Sequence, residues 1–92
     1  MDNVVDEVNL HGIYCVYDSK AEAYGSPFCM QNDQLAKRQL YDAVNSGEHV
    51  FAKHSEDFTL FRIGYFDEKE GRMYPTDALV SLCNLVELKE NA

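Results

Sequence analysis

The sequence predicts a single α+β domain, in which a small, mainly antiparallel sheet of about three to five strands is covered by one main helix near residues 33–46. A chain of 92 residues is long enough for one hydrophobic core. One stretch repeats its apolar residues at helical spacing, while others are short, apolar and rich in β-branched or aromatic residues. Hydrophobic residues make up 46% and charged residues 26% of the chain, which is typical of globular rather than disordered proteins.

The domain is predicted to span residues 11–90, after an acidic extension over residues 1–10. The extension contains Asp2, Asp6 and Glu7 but no basic residue, so it lacks the basic start of a secretory signal. No apolar run approaches the ~18 residues that a membrane span needs. We therefore expect no membrane partner.

The first strand is predicted over residues 12–17, where apolar, β-branched and aromatic residues follow one another as in a central strand buried on both faces. Residues 18–20 end it with turn chemistry. Residues 21–27 are predicted to form a loop, because their Gly-Ser-Pro end breaks both helices and strands.

The main helix is predicted to begin at Asn32 or Asp33, either of which can cap it, and to end near residue 46. Its apolar residues lie on one face at helical spacing: Ala36, Leu40, Ala43 and Val44. Gly47 then suits the left-handed position that follows a helix.

Residues 58–66 form the clearest predicted strand, because apolar side chains alternate between its two faces. The pattern assigns Phe61, Ile63 and Tyr65 to one face, and Phe58, Leu60, Arg62 and Phe66 to the other. A charged loop over residues 67–71 and a partner strand over residues 72–74 complete a hairpin, which Pro75 is predicted to end.

The segments on either side of this hairpin have mixed patterns. Residues 49–52 are predicted to be a short extended piece, and residues 54–57 a polar turn. Residues 82–88 are assigned to a last strand, although Thr76 can also cap a helical turn within residues 76–88.

The three cysteines are an odd number without a Cys-x-x-Cys pair, so they do not form a disulfide framework. Cys15, Cys29 and Cys83 are expected to be reduced and mostly buried, as free cysteines in apolar surroundings are. A structural zinc site would need closely spaced ligand pairs, which the sequence lacks. Because no phosphate loop, nucleophile elbow or other catalytic motif is present, the sequence predicts no enzyme, no metal and no cofactor.

The charge distribution bears on nucleic-acid binding. Sixteen acidic and eight basic residues give a net charge of −8 and a pI near 4.6, the wrong sign for affinity that comes from neutralising phosphates. Residues 11–66 hold five of the bases and carry a net charge of only −2. Single strands bind to aromatic rings beside a basic groove, and Tyr14, Tyr17, Tyr24 and Tyr65 can supply such rings beside Arg62. The same residues also suit a hydrophobic core with a paired arginine.

A pattern that extends from about residue 13 to residue 88 carries a family resemblance. It includes a strand that ends in Tyr17 and Asp18, a lysine- and alanine-rich loop, and Gly25, Pro27 and Phe28. It continues with Ala36, Lys37 and Arg38 in the helix, and with His54, Glu56, Asp57 and Phe58, where Ser55 replaces the usual proline. It ends with Leu60, Ile63, Gly64, Phe66, Asp67 and Gly71. In this order and combination, the chain resembles the small nonstructural protein of gokushoviruses and related microviruses, which are single-stranded DNA phages.

The resemblance implies a protein of the host cytoplasm that is absent from the mature capsid and acts in single-stranded DNA synthesis or packaging. The family has no defined catalytic residue. We therefore predict single-stranded DNA as a partner, with tyrosines stacking on bases and cations contacting phosphates. The predicted nucleic-acid-binding residues are Lys20, Tyr24, Lys37, Arg38, Arg62, Tyr65 and Arg72.

The alternative is a protein-interaction module without DNA contact. Its acidic surface would dock on a basic patch of the phage replication initiator, the procapsid or a host replication protein. A homo-oligomer is also compatible with the sequence. Cations that converge beside exposed tyrosines favour DNA binding, whereas cations dispersed among carboxylates favour a protein partner.

Overall fold

The computed structural model describes residues 10–90, which form an antiparallel sheet with one long helix packed on it. The strands are β1 (Leu10–Asp18), β2 (Ala23–Tyr24), β3 (Phe28–Met30), β4 (Phe58–Asp67) and β5 (Arg72–Asn84). The helices are α1 (Asp33–Val44) and the single turn α2 (Val50–Lys53), with 3₁₀ turns at Ser55–Asp57 and Leu85–Leu88. This architecture confirms the predicted α+β class and its main helix. The predicted acidic extension, apart from Leu10, lies outside the described residues.

The central strands of the sheet are β1 and β4. The strand order is β2-β1-β4-β5, and β3 also pairs with β1. β1 and β4 pair along their whole lengths, from Leu10 opposite Asp67 to Asp18 opposite Phe58. Residues 12–16 of β1 are all buried, as expected for an apolar strand with neighbours on both sides. β5 forms one edge of the described sheet, and the short strands β2 and β3 lie at the other.

The hydrophobic core lies between α1 and one face of the sheet. The sheet contributes Tyr14, Val16, Phe58, Leu60 and Cys83, and the helical segments contribute Ala36, Leu40, Val44 and Leu85. Asn32 caps α1 as predicted, since its side chain accepts a 2.9 Å hydrogen bond from the backbone N–H of Leu35. Beyond the helix, Gly47 has the predicted left-handed backbone, with φ of 84°.

A bulge in β4 makes the predicted face of Tyr65 wrong. Between the pairs Ile13–Gly64 and Tyr14–Arg62, β4 contains one residue more than β1. The extra residue breaks the two-residue alternation, so Tyr65 lies on the same side as Arg62 instead of sharing the face of Phe61. Gly64 is required here, because an added Cβ would lie 2.6 Å from the carbonyl oxygen of Tyr74.

The end of the hairpin also differs from the prediction, because β5 continues through Pro75 instead of ending there. Pro75 lies opposite Gly64 in an edge strand, where a missing backbone N–H is tolerated. The strand ends at Asn84. Residues 85–88, which the sequence assigns to the end of a last strand, form a 3₁₀ turn instead. Asn84 and Glu87 form a capping box there. The backbone N–H of Asn84 donates a 2.9 Å hydrogen bond to the Glu87 carboxylate, and the Asn84 side-chain oxygen accepts a 2.9 Å hydrogen bond from the backbone N–H of Val86.

Two short elements lie where the sequence predicts other structure. β2 lies within the predicted loop over residues 21–27, and β3 follows that loop in residues to which the sequence assigns no element. Residues 50–53 form a helical turn instead of an extended piece, because the Nδ1 of His49 caps it by accepting a 3.1 Å hydrogen bond from the backbone N–H of Phe51. Within residues 10–90, no helix is long and apolar enough to cross a bilayer.

The cysteines follow the expectation in part. Cys15 and Cys83 are buried, whereas Cys29 is exposed. Cys29 lies between Phe28 and Met30, whose side chains pack against the core, so it points to the other side of its short strand. Burial raises the pKa of the Cys15 and Cys83 thiols, which lowers their reactivity. In the described part of the chain, no group of three or more His, Cys, Asp or Glu residues could hold a metal ion.

Candidate nucleic-acid interface

The predicted nucleic-acid-binding residues do not form one surface. Lys20 lies in the turn after β1, beyond the pair Asp18–Phe58. Arg72 begins β5 at the opposite end of the sheet, where its backbone lies opposite that of Asp67 in β4. The ten residues of β4 separate these two ends by about 30 Å. The others lie elsewhere: Lys37 and Arg38 are on α1, Tyr24 is on β2, and Arg62 and Tyr65 are on β4.

Arg62 is bound within the protein. One Nη donates a hydrogen bond to Asp33, and the two charges form an ion pair. The hydroxyl of Tyr14 donates a 2.8 Å hydrogen bond to the other carboxylate oxygen of Asp33. The guanidinium of Arg62 also lies 5.4 Å from the ring centroid of Tyr65. We call these four residues the arginine cluster.

The beginning of α1 explains the position of the carboxylate in this cluster. Asp33 is the first residue of the helix, where the unpaired backbone N–H groups favour a negative charge. Gly12 makes room for the ring of Tyr14, since an added Cβ would lie 2.2 Å from the Tyr14 hydroxyl. The ring is fully buried and reaches Asp33 from β1. Sequence and packing thus direct an acid, a hydroxyl and a guanidinium to one point.

The arginine cluster keeps its charges near neutral pH. Burial raises the pKa of Asp33, but hydrogen bonds from Arg62 and Tyr14 lower it by more, so the pKa lies below its ordinary value. The hydrogen bond to Asp33 raises the pKa of Arg62. Burial, followed by the hydrogen bond to Asp33, raises the pKa of Tyr14 well above its usual range. The carboxylate and guanidinium therefore compensate each other, and Arg62 contributes little net charge to its surroundings.

A cleft of about 610 Å³ opens beside the arginine cluster. Its walls include the side chains of Gln31 and Gln34 near the start of α1 and the ring of Tyr65. Arg62 is the cation that lines it, and Asp33 already binds that cation. The cleft thus offers amides and an aromatic ring, but a phosphate in it would compete with Asp33 for the guanidinium.

A second aromatic group lies on the sheet face opposite α1. We call it the aromatic surface, and it consists of Tyr17, Tyr24 and Phe61. The ring centroids of Tyr17 and Tyr24 are 4.7 Å apart, and that of Phe61 lies 5.7 Å from Tyr24 and 6.5 Å from Tyr17. Tyr24 is 46% exposed, and the other two side chains are half-buried. Since Val16 and Leu60 face α1, the alternation of β1 and β4 places the next residues, Tyr17 and Phe61, on the other face.

The aromatic surface lies at an acidic end of the sheet. The carboxylates at this end are Asp18, Glu22, Glu56 and Asp57. The turn over residues 19–22 places Lys20 there too, and the backbone N–H of Ser19 donates a 2.9 Å hydrogen bond to the carbonyl of Asp57. Phe61 was not among the predicted site residues. Its alternation with Leu60 was the available signal, but the partner rings come from strands whose pairing the sequence does not give.

The fold is that of a small α+β protein. In the arginine cluster the aromatic and charged side chains bind one another, whereas the rings of the aromatic surface lie on an open face of the sheet. The Phage ORF5 protein family matches residues 11–88, and the chain belongs to this family. It is 37% identical over 79 residues to Protein ORF5 of Chlamydia phage 1, an alignment that covers 80% of this chain and 82% of that protein. These matches confirm the resemblance to the small nonstructural proteins of gokushoviruses and related microviruses. No solved structure matches the chain.

Proposed function

We propose that this phage protein is a non-catalytic accessory protein that acts in the host cytoplasm by docking its acidic surface on a basic protein partner. Partners with this chemistry are the phage replication initiator, the procapsid and host replication proteins. The observation that carries the proposal is the dispersal of the predicted phosphate-binding cations. Lys20 and Arg72 lie at opposite ends of the sheet, and Arg62 is compensated by Asp33.

Electrostatics favours a basic partner over a nucleic acid. The net charge of −8 repels phosphates and attracts basic surfaces. Attraction of this kind mainly accelerates encounter, and it falls as salt rises because the Debye length is about 10 Å at 0.1 M ionic strength. A surface that bound DNA through phosphate contacts would need several uncompensated cations in one groove. The separation of the predicted phosphate-binding cations in the structure therefore supports a protein partner.

The test is a direct comparison of the two kinds of partner. The purified protein is mixed with the phage replication initiator, with procapsids, with individual host replication proteins and with a labelled oligothymidine, at low and raised salt. We expect a stoichiometric complex with one of the proteins that weakens with salt, and no complex with the oligonucleotide. The control variant Lys37→Ala/Arg38→Ala should bind the protein partner at least as well as the wild type does. DNA binding at ~50 mM salt that this variant loses, without a protein complex, would overturn the proposal.

Single-stranded DNA binding is the second candidate, and the aromatic surface favours it. Each base stacked on an aromatic side chain contributes ~1–3 kcal/mol, which does not depend on a cation. Binding of this kind would have a shallow salt dependence, because the slope is about −0.7 for each phosphate neutralised on a single strand. A slope near −1 or flatter in a plot of log affinity against log salt concentration, together with loss of binding in Tyr24→Ala, would identify stacking as the mechanism. The same variant would bind DNA normally if the cations of α1 carried the interaction.

A further inference from the structure

We infer that the aromatic surface is the docking site itself, and that it holds arginine side chains from an extended, arginine-rich segment of the partner. This inference rests on the proposed function and names the surface and the partner chemistry. It joins two features at one end of the sheet: the rings of Tyr17, Tyr24 and Phe61, and the carboxylates of the turns that adjoin β1, β2 and β4 there.

The rings offer accessible π-faces. Tyr24 is 46% exposed on the short outer strand β2, and it contacts both Tyr17 and Phe61. The three rings belong to three neighbouring strands, so they form a continuous apolar and aromatic area rather than isolated side chains. An aromatic face attracts a cation within ~6 Å of its centroid, and the attraction increases when the cation is partly desolvated.

The charge around the rings selects a cationic segment. Asp18 and Glu22 flank the Tyr17–Tyr24 pair along the chain, and Asp57 lies where the backbone joins the turn to β4. Strand alternation places Asp18 on the α1 face, so the exposed Glu22 is the carboxylate available to a ligand on the rings. Lys20 lies in the same turn, and the four carboxylates at this end outnumber it. Aromatic faces next to carboxylates suit a guanidinium, because the same group can stack on a ring and donate two hydrogen bonds to an acid. A compact lysine ammonium is less able to do both. A nucleic acid would meet these carboxylates with its phosphates, which disfavours it as the occupant.

The protein contains the same chemistry, with a cation bound, on the other face of the sheet. In the arginine cluster, the guanidinium of Arg62 lies over Tyr65 and donates to Asp33. At the aromatic surface the rings and acids are present, but within residues 10–90 no cation lies over them. The partner would supply the missing guanidinium.

The experiment titrates the full chain with an arginine-rich peptide and with a lysine-rich peptide of the same length and charge. The variants are Tyr24→Ala and Glu22→Gln, because Asp18 also shapes the turn by accepting hydrogen bonds from the backbone of Lys20 and Ala21. Tyr74→Ala is the matched control for the aromatic ring, since Tyr74 is 44% exposed on β5. Glu70→Gln, in the exposed hairpin turn, is the matched control for the charge.

We expect the arginine peptide to bind more tightly than the lysine peptide. Tyr24→Ala should lower the affinity for the arginine peptide by about three- to thirtyfold, the loss expected for a cation–π contact. Glu22→Gln should lower this affinity by a smaller factor. Tyr74→Ala should have the wild-type affinity for the arginine peptide, and the affinity of Glu70→Gln should differ from that of the wild type only slightly. Equal affinity for the two peptides, or equal losses in Tyr24→Ala and Tyr74→Ala, would show non-specific attraction and would overturn the inference.

The partner complex separates this inference from the proposed function. If Tyr24→Ala/Glu22→Gln still forms the wild-type complex with the protein partner, the site is wrong while the function stands. If the wild type forms no protein complex at all, the function itself fails. Loss of oligothymidine binding in Tyr24→Ala, with no effect on the arginine peptide, would assign the surface to base stacking instead.

Discussion

Tyr65 and Tyr24 lie on opposite faces of the same sheet, and their surroundings differ in one component. Tyr65 has the guanidinium of Arg62 over its ring, and Asp33 binds that guanidinium. Tyr24 has two further rings nearby and carboxylates in the adjoining turns, but in the described part of the chain no cation lies over it. The arginine cluster therefore holds its cation on its own ring and carboxylate, although the buried Nε of Arg62 has no hydrogen-bond partner among the described residues. The aromatic surface has the same kinds of groups without a described cation over them. An arginine beside a tyrosine can therefore be bound by a carboxylate of the same protein instead of being free for a ligand.

The largest effect should come from the face that contacts α1. Leu60→Ala removes a fully buried side chain and should cost about 2–5 kcal/mol of unfolding free energy, because it leaves a cavity in the core. The neighbouring change Phe61→Ala acts on the aromatic surface and should cost only about 1–2 kcal/mol, since that side chain is half-buried. Denaturant unfolding of both variants measures the difference. Equal losses would show that the two faces of β4 are equally part of the core.

The arginine cluster should give the next largest effect. Arg62→Ala leaves Asp33 and Tyr65 without their guanidinium, which should cost roughly 1–3 kcal/mol of unfolding free energy, less than for a fully buried pair because both charged groups are partly exposed. The matched control is Arg72→Ala, at an exposed position in β5, which should change the free energy by less than about 0.5 kcal/mol. Similar values for the two arginines would mean that the cluster does not stabilise the fold.

Much of the fold follows from local sequence signals. Asn32 caps the helix, and Gly47 turns the chain with a left-handed backbone two residues beyond the C-cap Asn45. Gly71 adopts the left-handed turn of the hairpin with φ of 69°, and residues 58–61 show their alternation. The bulge of β4 has no comparable signal, since only the register against β1 reveals it. Pro75 is a breaker by local rules, but it is tolerated because β5 has a neighbour on one side only.

The candidate site was less predictable, because it depends on pairing between distant strands. Composition identified tyrosines and cations that could meet, but it could not show that Arg62 would be bound by Asp33, 29 positions away in the sequence. The aromatic surface likewise needs β1, β2 and β4 to be adjacent before its rings form one area. The Asn84 and Glu87 capping box was a local signal that could have replaced the predicted last strand with a turn.

A smaller effect should distinguish the two tyrosines in the absence of any partner. Tyr65→Leu retains an apolar side chain but removes the π-face under Arg62, which should cost ~0.5–1 kcal/mol in denaturant unfolding. Tyr24→Leu removes no cation–π contact, because no described cation lies over that ring, and its cost is limited to the contacts of the ring with Tyr17 and Phe61. Partner binding should respond in the opposite way, weakening in Tyr24→Leu and staying unchanged in Tyr65→Leu. If Tyr65→Leu weakened partner binding instead, the cleft beside the arginine cluster would be the docking site.

The smallest expected effect is a pH dependence that belongs to the arginine cluster alone. Burial raises the pKa of Asp33, but the hydrogen bonds from Arg62 and Tyr14 outweigh it and hold the pKa below that of an unfolded aspartate, which is about 3.9. A carboxyl group whose pKa is lower in the folded state stabilises the fold fully above about pH 4, and it loses this contribution as the pH falls through its folded pKa. The free-energy difference between wild type and Asp33→Asn should therefore be constant from about pH 5 to 7 and should shrink below about pH 4. Asp77→Asn, at an exposed aspartate of β5, serves as the control, and its difference from wild type should stay small throughout. A difference for Asp33→Asn that grew on acidification would mean that the guanidinium and the tyrosine hydroxyl do not outweigh the burial of this carboxyl group.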